Sequence, residues 1–389
     1  MTEVLMRKEY MMTPGPTPVP AEVLLSQARP MFHHRTPVFT ELLIAVEEGL
    51  KYVFETKNDV LMFSASGTGV MESAVANLLS AGDKVICCSN GKFGDRLVKI
   101  NEAYGIDVIK LVYEWDQVVN PDDIKRELDA NPDIKAVFVV QSETSTGVLS
   151  DIKTIGGIVK DYAAVLVVDS ITGIGAVECK TDEWNLDVVM TGSQKGLMMP
   201  PGLACVSVSD KAWAAVEKST LPKFYFSWKK SADSLHKSAP TTPFTPPVSL
   251  IVGLGEALRL MREEGLENII RRHAILADAA RKGSEAMGLK LFAPAEGRGN
   301  AVTPVWVPEG VDGGKLVKML KEKYGITIAG GQDHLKGKIF RIGHLGYFDK
   351  FDIMTTLAGV EMVLSGLGYP VTLGMGVQAA EKVFMENAF

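Results

Sequence analysis

DVVMTGSQKGLMMPPG, residues 187–202, sets one lysine, Lys195, among small residues directly after an apolar run. The run through Met190 has the character of a buried strand, and Thr191, Gly192, Ser193, Gln194 and Gly196 form the frame around the lysine. A lysine on a surface loop needs no such frame, whereas a lysine that makes a covalent bond does.

Outward from this stretch the chain is rhythmic. DVLMF (59–63), KVICCS (84–89), DVIKLVY (107–113), KAVFVVQ (135–141), AVLVVDS (164–170), LDVVMTG (186–192) and LACVSVS (203–209) read as strands. Helical segments come between several of them, at 69–80, at 93–105 ending on Gly105, and from about Pro121, a residue suited to a first helical turn. An earlier apolar-periodic stretch, 40–54, is also helical. KAVFVVQ and AVLVVDS are almost wholly apolar, the pattern of strands buried on both faces of a mainly parallel sheet covered by helices. The rhythm ends near residue 210. A Pro/Thr-rich connection, SAPTTPFTPPVSL (238–250), leads to helices at 248–264 and 267–287 and to a second alternation of strand and helix over 300–366. The expected architecture is α/β: a large domain, 15–255, with a mainly parallel sheet sandwiched by helices, and a smaller C-terminal α/β domain, 256–389, that includes the N-terminal segment 1–14. The tail, 370–389, carries no clear signal.

The 389 residues, 46% of them hydrophobic, are enough for one large core and a smaller second one. The net charge of -6, with no basic cluster, speaks against a nucleic-acid surface. No apolar run is long enough to cross a bilayer, and the N-terminus does not read as a signal peptide, so a soluble cytoplasmic protein is expected. Cys87, Cys88, Cys179 and Cys205 read as reduced buried thiols, and the six histidines show no zinc-like spacing, so no metal is expected.

In open α/β sheets ligands bind beyond the carboxyl ends of the strands. After the first strand comes SASGTG (64–69), which opens into a helix. Small residues there leave backbone N–H groups free, and a helix N-terminus favours an anion such as phosphate. A plain Gly-rich turn would look similar. Asp169 ends another strand, where a carboxylate must find a partner; a helix cap or a local salt bridge would be the ordinary one. Lys195 follows 26 residues later. Together the three meet the needs of an aldehyde cofactor with a pyridine ring and a phosphate. The amine forms a Schiff base, the acid keeps the ring nitrogen protonated so that the ring acts as an electron sink, and the loop anchors the phosphate.

With these residues in place the chain resembles the class V aminotransferases of the fold-type I pyridoxal-phosphate enzymes, within them the alanine–glyoxylate and serine–glyoxylate (serine–pyruvate) group. The resemblance rests on TPGPTPVP (13–20), SASGTG (64–69), NGKFGDR (90–96), ETSTGV (143–148), VVDSITGIG (167–175), TGSQKGLMMPPG (191–202), TPFTPPVSL (242–250) and FRIGHLG (340–346), in the family's order. It implies that Lys195 holds pyridoxal 5'-phosphate covalently and afterwards moves the substrate proton. Asp169 would pair with the ring nitrogen. Ser66, Gly67, Thr68 and Gln194 would bind the phosphate, and Thr144 would hydrogen-bond the ring oxygen. Phe93 stands where relatives commonly carry a stacking Trp. Arg341 would clamp the substrate carboxylate, an interaction that guanidinium geometry suits, although a salt bridge between domains would also account for it. Thr245 would reach the phosphate of the neighbouring subunit in a homodimer with shared sites. Thr242 stands where some relatives have a tyrosine. Gly15, in the TPGP segment, and His33-His34-Arg35 would line the substrate mouth.

The expected reaction is a ping-pong transamination between a small amino acid, alanine or serine, and a 2-oxo acid, glyoxylate or pyruvate. A single carboxylate-binding arginine suits small donors better than dicarboxylates. An aspartate or 2-aminoethylphosphonate aminotransferase is the alternative on the same fold. A cysteine desulfurase would need a nucleophilic cysteine in the C-terminal part, and no cysteine follows Cys205. A doubly wound protein that binds a nucleotide without covalent chemistry would explain the Gly-rich loop but not Lys195 or Asp169.

Overall fold

Apolar segments of four to six residues form the seven strands of the main sheet in a computed structural model that describes residues 8–388. They are β1 (Val60–Phe63), β2 (Lys84–Ser89), β3 (Asp107–Val112), β4 (Ala136–Val140), β5 (Val165–Asp169), β6 (Val188–Gly192) and β7 (Ala204–Val208). Their spatial order is β1-β7-β6-β5-β4-β2-β3. β2, β3, β4, β5 and β6 run parallel, and β7 lies antiparallel to both β6 and β1. The mainly parallel sheet is as expected, and every residue of β4 through β7 is buried.

Alternate side chains feed a separate core on each face. Ile86, Val137, Val139, Leu166 and Val168 pack with helices Pro37–Phe54 and Val248–Glu264. Val85, Phe138, Val165 and Val167 pack with helices Gly67–Leu78 and Lys92–Ala103. Adjacent Cys87 and Cys88 fall on opposite faces for this reason, and all four cysteines are buried and unpaired. Helix Trp228–Leu235, which periodicity did not mark, is pinned by Trp228: its Nε1 donates 3.1 Å to Ser73 Oγ and its backbone N–H donates 3.0 Å to Asn77 Oδ1.

A second sheet, in the order β8-β10-β9, joins β8 (Val302–Trp306), β9 (Ala329–Gly330) and β10 (Ile339–Gly343) in antiparallel fashion. Tyr10–Met11 pairs in parallel with Ile326–Thr327, which brings the start of the described chain alongside this part. The tail is a helix, Met375–Glu386, whose Ala380, Val383 and Phe384 enter the same core as Ile342, Leu357 and Val360. Its first turn is anchored on the buried carboxylate of Glu361, which accepts from Gly374 N at 2.7 Å and Gly376 N at 2.6 Å. Among the described residues no helix is long and apolar enough to cross a membrane.

Candidate active site

The carboxyl ends of β1, β2, β4, β5 and β6 lie along one edge of the sheet, and the residues singled out by sequence gather there. Lys195 follows β6 by three residues, and its Nζ donates a 2.6 Å hydrogen bond to the carbonyl of Pro14. The N-terminal segment crosses directly over it. Thr17 Oγ1 donates 3.2 Å to the Lys195 carbonyl, and Thr17 N donates 3.2 Å to that of Gln194. Gly15 has φ +129°, and a Cβ there would lie 2.3 Å from Lys195 Nζ. Burial, then the charge of Arg341, lowers the Lys195 amine to about 8; Asp169 opposes this and Arg96 adds to it.

Asp169 is the last residue of β5 and is 3% exposed. Its Oδ1 accepts 2.9 Å from Ile171 N, and burial raises its pKa to about 7 against the pull of that bond. Ser66 is the N-cap of helix Gly67–Leu78 and makes no side-chain cap bond, so the first-turn amides of Gly67 and Thr68 have no side-chain acceptor from the cap. Gly67 has no room for a side chain: a Cβ would stand 2.4 Å from Ile171 Cδ1, beside Asp169. Gln194 Oε1 is buried without a partner among the described residues.

Phe93 lies in the first turn of helix Lys92–Ala103, and the Arg96 guanidinium sits 4.7 Å from its ring centroid. Arg96 Nη1 also donates 3.3 Å to Thr68 Oγ1, so this side chain joins the aromatic plate to the anion loop. Thr144 is buried and its hydroxyl lies 2.7 Å from that of Thr172, which in turn donates 3.0 Å to the Ser142 carbonyl. Arg341, on β10 and 6% exposed, donates from Nε to Gly330 O at 2.9 Å and from Nη1 to Thr144 O at 2.8 Å. Those two bonds go to backbone carbonyls, not to a carboxylate. Burial lowers its pKa to about 10, against the field of Glu143.

Lys195, Asp169, Thr144, Gln194, Arg341, Gly15 and the Ser66–Thr68 turn thus come together from six separate stretches, with Phe93 joined to the turn through Arg96. Thr245 does not join them within one chain. It is exposed and shares a cleft with Ser64, Thr242, Phe244 and Tyr225. Arg35 is engaged elsewhere, donating to Thr241 Oγ1 at 2.9 Å and to Thr242 O at 3.1 Å, while the His33 and His34 rings lie 4.5 Å apart. Sequence reasoning passed over Arg96, Thr17, Thr172 and Glu143. Arg96 and Glu143 lay inside the quoted motifs NGKFGDR and ETSTGV, but nothing local marked their side chains as inward-facing. Among the described residues no three of His, Cys, Asp and Glu are grouped to hold a metal.

A strand-end lysine with a lowered pKa, a buried strand-end carboxylate and an uncapped helix N-terminus on one sheet edge define a cofactor seat of the pyridoxal-phosphate type. The chain belongs to the class-V aminotransferase family, which it matches over residues 10–342. A protein named soluble hydrogenase, small subunit, from Synechococcus sp. is 47% identical over 97% of this chain and 98% of its own. Serine–glyoxylate aminotransferase of Methylorubrum extorquens is 38% identical over 98% of this chain and 97% of its own; L-aspartate–glyoxylate aminotransferase of Paracoccus denitrificans is 38% identical over 96% of each. The crystal structure of ureidoglycine–glyoxylate aminotransferase from Bacillus subtilis superposes with a TM-score of 0.94 at 32% identity, over 98% of this chain and 100% of that one. The protein is an aminotransferase whose cofactor is pyridoxal phosphate. The residues present fit that group: the uncapped turn at Ser66–Thr68 suits a phosphate, the buried carboxyl of Asp169 suits a pyridine nitrogen, and the lowered amine of Lys195 suits an aldehyde.

Proposed function

We propose that this enzyme transfers the amino group of a small amino acid, alanine or serine, to a small 2-oxo acid, glyoxylate or pyruvate, in a ping-pong sequence. The donor leaves as its 2-oxo acid before the acceptor binds. The observation that carries the substrate class is Arg341: a single buried guanidinium, held in place by two backbone carbonyls, beside the amine of Lys195. A guanidinium so fixed presents its remaining N–H groups to one carboxylate. Arg35, the other cation considered for the substrate mouth, is spent on Thr241 and Thr242.

Bound pyridoxal phosphate supplies an electron sink for the pair released at the substrate α-carbon. Lys195 holds the cofactor covalently, and its Nζ, once free, takes the α-proton and returns it at the end of each half-reaction. An amine of pKa about 8 is a usable base near neutral pH. Asp169 pairs with the ring nitrogen; a positive charge there draws the carboxyl back toward its ionised form. Ser66, Gly67, Thr68 and Gln194 receive the phosphate, Phe93 stacks on the ring and Thr144 hydrogen-bonds the ring oxygen. Gly15 lets the N-terminal segment close over the lysine. Thr245, exposed in one chain, serves the phosphate of a second copy, so the working unit is a homodimer. The enzyme works in the cytoplasm. We place the division between its two parts near Gly265 rather than after 255. Residue 255 lies inside helix Val248–Glu264, whose Ala257, Leu258 and Met261 pack into the large core.

Single half-reactions with the cofactor-loaded protein test the reading. Alanine or serine is expected to bleach the cofactor band and glyoxylate to restore it, with Lys195→Ala inert. Bleaching by aspartate more than about tenfold faster than by either would overturn the small-donor assignment. Identity does not choose between these donors, since the serine and aspartate relatives are equally similar. Bleaching by 2-aminoethylphosphonate alone would point to the phosphonate alternative.

A further inference from the structure

Glu143 is fully buried in a part of the molecule where an ionisable group has no evident duty. Its carboxylate is saturated with donors. Oε2 accepts from Phe93 N at 2.9 Å and Gly94 N at 3.1 Å, both in the first turn of helix Lys92–Ala103. Oε1 accepts from Ser145 N at 3.0 Å and Ser145 Oγ at 2.5 Å. The Ser145 hydroxyl in turn accepts 3.0 Å from Lys92 N. Burial raises the pKa of Glu143, and the four donors, two of them at a helix N-terminus, oppose that shift. The fit is tight: a Cβ on Gly91 would stand 2.4 Å from Glu143 Cγ and 2.6 Å from Ser145 Oγ.

What this carboxylate joins matters more than its own stability. One oxygen fixes the backbone of Phe93. The other fixes the peptide after Thr144, whose carbonyl is the acceptor of Arg341 Nη1. Glu143 is also a negative charge facing Arg341. The plate under the ring, the hydrogen-bond partner of the ring oxygen and the clamp for the substrate carboxylate are therefore indexed to one buried group, though they come from three distant segments.

We propose that Glu143 is a positioning residue that sets the cofactor ring and the substrate-carboxylate clamp in register with each other. This rests on the assignment of Phe93, Thr144 and Arg341 given above. Glu143→Gln keeps the size but removes the charge and turns one acceptor into a donor, so one pair of N–H or O–H groups faces an NH2. The Thr144–Ser145 peptide then loses its anchor, and Arg341 loses a fixed acceptor.

The test is Glu143→Gln in the cofactor-loaded enzyme, read at saturating cofactor. A rise of about tenfold in KM for the amino donor is expected, from one buried pair left unsatisfied. The circular dichroism of the bound cofactor, which reports ring orientation, is expected to change with it. Leu357→Ala, a cut in the core of the other part, is the control and should lower Tm while leaving both readouts in place. Should Glu143→Gln fail to fold, Ser145→Ala removes only one of the four donors and should shift the same two readouts less, in the same direction. A donor KM and a cofactor dichroism unchanged from wild type in Glu143→Gln, or in Ser145→Ala where only that variant folds, would overturn the proposal. Failure of the wild-type protein to show a cofactor band bleached by any amino acid would instead overturn the functional reading beneath it.

Discussion

Gly15 and Lys195, far apart in sequence, are in contact: a Cβ built on the glycine falls 2.3 Å from the lysine Nζ and 2.6 Å from its Cδ and Cε. Gly15 also has φ +129°, a conformation that L side chains rarely adopt. The clash falls on the flexible end of the lysine, so Gly15→Ala is relieved by pushing the amine aside rather than by unfolding. The expected result is a folded protein, with a stability loss of about 1–2 kcal/mol from backbone strain. Capture of pyridoxal phosphate by Lys195 should be slowed at least about tenfold, because the reacting amine is no longer held in place. Borohydride trapping and mass measurement of the modified lysine would check both parts.

The Lys195 amine, lowered to about 8 by burial and by Arg341, should react as a free amine at a pH where an ordinary lysine is almost wholly protonated. The second-order rate of cofactor capture by the apoprotein should therefore rise with pH and level off above about 8. An ordinary lysine would keep rising to about 10.5. Replacing Arg341 with Gln removes a repelling positive charge and should move the midpoint upward. A rate profile still climbing steeply at pH 10 would show that the amine is not depressed.

His273 is buried and neutral: Nε2 accepts 2.8 Å from Gly346 N, which leaves the Nδ1 proton for the Ile269 carbonyl at 2.7 Å. Burial lowers its pKa to about 3, and burial also holds the wholly enclosed His344 well below 6.5. The unfolded chain binds protons at these rings below pH 6.5 and the folded chain does not, so their contribution to stability is present above that pH and is lost as the pH falls toward 3. Denaturant midpoints measured from pH 7 to pH 4 should fall, and His273→Gln should lessen the slope by close to one proton. Gly346 also packs against Lys195, since a Cβ on it would lie 3.0 Å from the lysine carbonyl. The same variant is therefore expected to raise the cofactor dissociation constant.

The tail helix crosses helix Leu266–Ala286 where two glycines meet: a Cβ on Gly376 would be 2.9 Å from the Gly283 carbonyl and 3.1 Å from Glu361 Oε1. Neither the backbone nor the bonded carboxylate yields easily. Gly376→Ala should destabilise by about 1–3 kcal/mol. Hydrogen exchange should show the loss concentrated in residues 375–386, with the large core unchanged.

The strands of the main sheet were legible because a strand buried on both faces is apolar along its length, as β4 is throughout and β5 is up to Asp169. Asp169 and Lys195 were legible because each breaks such a run at its carboxyl end. Arg341 and Thr144 could be named from their motifs, but not the bond between them, which joins residues 197 apart. Glu143 in ETSTG reads as an ordinary loop carboxylate. Its burial is tolerable because Ser145 and the N-terminus of a helix 50 residues earlier turn their donors toward it. The tail looked undecided because its helix depends on two glycines whose value lies in close approach, not in helix propensity.

By itself, then, the sequence determined the α/β alternation, the sheet edge that carries chemistry and the residue types a pyridoxal-phosphate site needs, since these follow from local patterns of polarity and size. Tertiary structure alone decided that Pro14 and Gly15 cover the lysine, that Glu143 ties Phe93 to the Thr144 turn, and that Thr245 stays outside one chain's site. Each of these depends on backbone groups from distant segments meeting at hydrogen-bond distance, and no local pattern encodes where a distant carbonyl or amide will point.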